Sequence, residues 1–131
     1  MKLTLRQIEE INTNTAFQSL IEKDLPIRVS FQLARLLKKT SEEFDLLQQK
    51  RNELINKYAE KDGDNVIVNP DGTIPLIKSK VTEFNSAIVD LYSVIIGIDI
   101  EKVKISMDDT PNMSTAEVLA VIDVIDFIEP E

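Results

Sequence analysis

The 131-residue chain has no cysteine, no histidine and no tryptophan. Without cysteine there is no disulfide, no thiolate nucleophile and no thiolate-ligated zinc. Without histidine the chain loses the commonest general base, the commonest metal ligand and the usual proton switch near neutral pH. Only three glycines occur, Gly63, Gly72 and Gly97. They are isolated from one another, so no glycine-rich phosphate loop is present. Long apolar runs are missing too. The longest, Val94-Ile95-Ile96-Gly97-Ile98, falls far short of the roughly 20 residues a membrane-spanning helix needs. Met1 to Gln7 is charged and polar, without the apolar stretch of a signal peptide. These absences lead us to expect a soluble, unsecreted protein with no membrane contact, no cofactor, no metal and no enzymatic activity.

What is present fits a packed protein. Hydrophobic residues make up 43% of the chain and charged residues 29%, an ordinary globular balance that argues for a single domain over 1–131. The net charge is −8 and unevenly placed. Residues 1–98 carry 13 basic and 14 acidic side chains, whereas residues 99–131 carry 9 acidic and 2 basic, a net −7. Direct contact with nucleic acid is disfavoured there, because Lys and Arg supply most affinity for phosphate.

Hydrophobic spacing predicts a mainly α (α+β) fold. A first helical segment covers 4–23, with Leu5, Ile8 and Ile11 on one face and Phe17, Leu20 and Ile21 resuming it. Asn12 to Thr15 are poor helix formers, so a break is expected there. Asp24-Leu25-Pro26 closes the segment. Leu33, Leu37, Thr40, Phe44, Leu47, Arg51, Leu54 and Tyr58 then alternate spacings of four and three, a heptad-like seam. Ile77, Val81, Phe84, Ile88, Leu91 and Ile95 repeat that pattern. Together they predict a long antiparallel helix pair over 26–96, with Tyr58, Leu54 and Leu47 facing Val81, Phe84 and Leu91, and Gly97 as the closing cap. Between the helices, Asn69-Pro70-Asp71-Gly72 is a strong turn. It predicts a β-hairpin at 65–77 that closes the pair. An acidic unit at 98–131 follows, with a strand between Ile98 and Met107 and a helix from Ser114 to Ile128. Ser114-Thr115-Ala116-Glu117 is the capping box of that helix.

Candidate sites are few. Asp62, Asp64, Asn65, Asn69 and Asp71 suggest a calcium loop, but the fifth, sixth and twelfth positions are Val66, Ile67 and Thr73, where the loop needs an oxygen ligand, Gly and Glu. Turn chemistry accounts for these residues instead. Asp108-Asp109 falls in a loop. Asp123 and Asp126 would share one side of the last helix, where a solvated face outweighs a magnesium site. Arg35, Lys38 and Lys39, with Arg28, form a basic cluster early in the long helix that could meet an acidic partner or a phosphate. Thr40 and Arg51 are polar seam positions that could fix register. The interaction candidates are therefore Arg35, Lys38, Lys39, Asp108, Asp109, Asp123 and Asp126.

Leu25 to Lys38, Arg51 to Tyr58, the Asn69 to Gly72 turn and the Ser114 to Ile128 segment resemble a loosely defined group of small, uncharacterised bacteriophage and prophage proteins. The resemblance implies a phage accessory protein in the host cytoplasm or the virion, and brings no catalytic residues. In plan, a helix pair with a β-hairpin is also similar to prefoldin subunits, whose hairpins build an oligomeric barrel. The expected function is non-enzymatic: a virion or assembly component that binds a phage or host protein and its own copies. The alternative is an acidic inhibitor of a host defence or nucleic-acid enzyme.

Overall fold

The computed structural model describes residues 1–129. The chain divides into two compact units. The first comprises Met1–Phe44 and the residues from Ile95 onward; the second is Asp45–Val94.

In the first unit, strand β1 (Lys2–Thr4) leads directly into helix α1 (Leu5–Thr13). Thr4 caps that helix: its hydroxyl accepts from the Gln7 amide at 3.2 Å while the Gln7 side chain accepts from the Thr4 amide at 2.8 Å. Such reciprocal caps satisfy donors that a helix start would otherwise leave unpaired. The expected break falls at Asn14, whose backbone is extended. Its own amide bonds back to Glu10 at 2.7 Å, closing α1, and its side chain accepts from Ala16 at 2.8 Å, opening helix α2 (Thr15–Ile21). One residue thus ends one helix through its backbone amide and begins the next through its side chain. Helix α3 (Ile27–Tyr58) follows as one uninterrupted element of 32 residues.

Strand β4 (Ile95–Gly97) pairs antiparallel with β1, in the register Lys2↔Gly97, Leu3↔Ile96 and Thr4↔Ile95. The sequence reading placed 95 and 96 in a helix capped by Gly97, and this is corrected. The preceding helix stops at Tyr92, where the Ser93 hydroxyl donates back to the Val89 carbonyl at 2.8 Å. The β-branched run that follows finds a strand partner instead.

The acidic end is also corrected. Strand β5 (Val103–Ser106) lies inside the segment expected to be extended. The single helix expected from Ser114 to Ile128 is a seven-residue helix α5 (Thr115–Val121), a turn, and strand β6 (Ile125–Ile128). The Ser114 and Glu117 capping box is present as read. β6 runs parallel to β5, pairing Val103↔Ile125, Lys104↔Asp126, Ile105↔Phe127 and Ser106↔Ile128. The segment is a β-α-β unit. Val103, Ile105 and Ile125 point inward while Lys104 and Asp126 stand in register outside. The run Val124-Ile125-Asp126-Phe127-Ile128 suits both helix and strand spacing, and burying Ile125 beside Val103 selects the strand.

This unit holds a true core. Ile8, Phe17, Leu20, Leu36, Ile105, Val121, Val124 and Ile125 are each at most 1% exposed. Each side chain buried this fully contributes about 1.5–3 kcal/mol relative to leaving it in water. Thr40 is fully buried as well. Its hydroxyl donates to the Leu36 and Leu37 carbonyls at 2.9 and 3.2 Å, so it is satisfied within its own helix.

In the second unit, α4 (Val81–Tyr92) returns antiparallel along the Asp45–Tyr58 part of α3. The Tyr58 and Phe84 rings meet edge to face with centroids 5.9 Å apart, and Arg51 donates to the Tyr92 hydroxyl at 3.2 Å. Tyr58 therefore meets Phe84, where the seam set it against Val81, so the register is shifted by about one turn, and Arg51 ties that register. The hairpin differs from expectation. Strands β2 (Lys61–Asp62) and β3 (Asn65–Val66) pair around Gly63-Asp64, with Gly63 at φ +65°. A first central glycine with positive φ is the hairpin geometry that matches strand twist. Asn69 to Gly72 does form a turn, closed by Gly72 to Asn69 at 2.9 Å and Asn69 to Thr73 at 2.8 Å. Its flanks do not pair with each other. The returning segment instead pairs with the residues just after α3: Ile77 to Tyr58 and Glu60 to Pro75, both at 2.9 Å, with an Ala59↔Leu76 bridge. Pro75, which has no N–H, serves there as an acceptor.

Candidate interaction surface

The first half of α3 turns Val29, Leu33 and Leu36 into the core. The residues on the opposite face are wet. Ile27 is 85% exposed and Phe31 62%, one helical turn apart, and Arg35 stands a turn further on. Phe31, Ala34, Arg35, Lys38, Lys39 and Glu42 line a shallow groove of about 550 Å³. Among the described residues, Arg35, Lys38 and Lys39 have no carboxylate within ion-pair distance. The face combines a bare aromatic ring with three cations and one carboxylate. It resembles the anchor-and-rim composition of protein-binding surfaces, where aromatics and Arg dominate.

Arg35 also borders a second groove of about 400 Å³, lined by Gln32 and by Asp99, Ile100, Glu101, Lys102, Val103 and Lys104. The cation flagged in the sequence thus stands where a basic-apolar face meets a mixed-charge loop.

The acidic candidates do not converge. Asp108 and Asp109 are exposed on a single 3₁₀ turn, Met107–Asp109, held by the Ser106 hydroxyl accepting from the Asp108 amide at 3.3 Å. Asp123 lies in the turn after α5, where it accepts from the Gln7 side chain at 3.2 Å. Asp126 is on the exposed side of β6. The expected sharing of one helix side by Asp123 and Asp126 is therefore corrected, because their segment is turn and strand. No group of three or more acidic residues among the described residues could hold a metal ion. No helix of the described residues is long and apolar enough to cross a membrane.

Phe31 and Ile27 were not picked out by sequence reasoning. The available signal was subtractive: once Leu33, Leu36 and Thr40 are assigned inward, residues 27 and 31 have no remaining core to enter. No family model, curated protein or solved structure matches the chain.

Proposed function

We propose that this is a non-enzymatic bacteriophage protein that works by protein–protein contact, as a virion or assembly component that also associates with its own copies. The observation that carries the reading is the exposed face of α3, where Phe31 projects beside Arg35, Lys38 and Lys39. A large apolar ring left in water beside cations that lack carboxylate partners fits a partner that supplies an apolar pocket and acidic groups. The phage context rests on the sequence resemblance, and the host cytoplasm or the virion is the matching location. The test is a photo-crosslinking residue at Phe31 in phage-infected cells, with the same residue at Val68 as a control. Crosslinks from position 31 to phage structural proteins support the reading. Crosslinks confined to a host enzyme, or no difference from position 68, count against it.

A second reading, an acidic inhibitor of a host defence or nucleic-acid enzyme, is favoured by the exposure of Asp108, Asp109, Asp123 and Asp126 in a segment of net −7. Neutralising these four carboxylates as Asn would then abolish inhibition.

A further inference from the structure

The second unit has a pattern of exposure that its own chain leaves unresolved. Along the junction of α3 and α4 runs a groove of about 400 Å³, floored by Leu54, Ala87, Leu91 and Val94. Leu54, Ala87 and Leu91 are half-buried and Val94 is 44% exposed. No residue of α4 is fully buried. Two helices can cover only one side of each seam, and the other side is normally closed by a third or fourth helix.

The rim says what would close it. On α3 it carries Lys50, Glu53 and Lys57; on α4 it carries Asp90. That is two charges of each sign, and Lys50 and Glu53 already sit 3.2 Å apart. Residues 45–94 together carry 8 acidic and 6 basic side chains, a net −2, so copies of this segment repel one another only weakly. A strongly acidic or basic partner finds no matching field here, whereas an identical rim does. The contacts of Tyr58 with Phe84 and of Arg51 with Tyr92 set the register, so Asp90 lies at the level of Glu53 on the opposite rim, with Lys50 and Lys57 about one turn to either side. A copy turned about a twofold axis along the groove lays its α4 over this α3 and brings its Asp90 over the Lys50–Glu53 pair and about one turn from Lys57, where two lysines outweigh the one glutamate. Self-complementarity of this kind is what a closed symmetric dimer requires.

We infer that the α3–α4 groove seats the same groove of a second copy of this chain, making a four-helix bundle with Leu54 and Leu91 at its centre. The inference rests on the self-association part of the reading above and specifies where it occurs. The test measures sedimentation equilibrium of the full chain over a wide concentration range. A dimer is expected, with Leu91→Glu raising the dissociation constant at least tenfold while circular dichroism keeps its helical signal. Asp90→Lys should weaken the dimer, and adding Lys50→Glu to it should restore much of the loss. Because the chain has no cysteine, Ala87→Cys gives a single attachment point that does not depend on tolerating a buried charge. A bismaleimide should couple Ala87→Cys chains in pairs and leave exposed Val68→Cys chains single. A monomer at every concentration overturns the inference and the self-association reading with it. A dimer indifferent to Leu91→Glu, with no preference for coupling at position 87, overturns the inference alone.

Discussion

Among the described residues, 1–44 with those from 95 onward bury fifteen hydrophobic side chains, whereas residues 45–94 bury three: Leu47, Tyr58 and Ala59. Both units draw on α3, and both read as apolar stripes at helical spacing. The difference lies in how many neighbours each stripe meets. In the first unit, the early part of α3 belongs to one compact body with α1, α2, β5, α5 and β6, and Leu33 and Leu36 are enclosed. In the second, α3 has α4 and a small turn-rich cap, so Leu54, Ile88 and Leu91 are only half covered. A heptad-like seam therefore marks a surface that must be met. Its depth of burial depends on whether one element or several meet it.

The comparison can be tested by substitution and exchange. The largest effect is expected at Phe17, 1% exposed in the first unit. Phe17→Ala should cost about 3–5 kcal/mol in chemical denaturation, as large cavities in cores do. Leu54→Ala in the second unit should cost about 1 kcal/mol at low protein concentration, because the half-buried site leaves no sealed cavity. Equal losses at the two positions would break the contrast. Hydrogen exchange should divide the same way: amides of α1 and β5 protected close to the global limit, those of α4 opening more readily. Slow exchange throughout α4 at low concentration would mean that its packing is tighter than its exposure implies.

Two glycines sharpen the point at smaller scale. Gly63→Ala should cost about 1 kcal/mol, because φ is +65° and nothing lies within 4 Å of the new methyl, so backbone strain acts alone. Gly97→Ala has open space and no positive φ, and should be close to neutral. The smallest effect is electrostatic. Hydrogen bonds from the Thr73 hydroxyl and amide, at 2.6 and 3.0 Å, hold the Asp71 carboxyl below its ordinary pKa. A lowered folded-state pKa contributes stability that is present above the ordinary carboxyl range and lost as pH falls through the lowered value. The Thr73 amide resonance should thus stay in place through mild acid and move only below it. Titration of that resonance at the ordinary carboxyl pH would remove the effect.

What the sequence revealed was local. The Asn12 to Thr15 break, the full run of α3 and the Ser114 capping box are written in short-range preferences, and each is present. That Tyr58 meets the seam of α4 was legible from the matching periods, but its ring partner is Phe84 and not Val81, because a period leaves the register one turn free. The strands were not. β1 has three residues and finds its partner more than ninety positions away, and nothing in Lys2-Leu3-Thr4 announces Ile95. β6 was read as helix because its apolar residues fit either period until β5 is placed beside it. At the candidate surface, Arg35, Lys38 and Lys39 were visible as charges, but the exposed Phe31 between the same turns was not. Exposure follows from where the core lies, and the core includes those distant strands.

The pairing of β1 with β4 also orders events in time. Residues 2–4 have no strand partner until residues 95–97 have left the ribosome, and β5 and β6 follow later still. The stretch from Asp45 to Val94 contains both halves of its own contacts and emerges whole in between. The first 44 residues therefore lack α5 and the strand partner of β1 while the inserted helix pair forms. The larger core is completed only once residues 125–128 have emerged, and contacts that close so long a loop form more slowly than local ones.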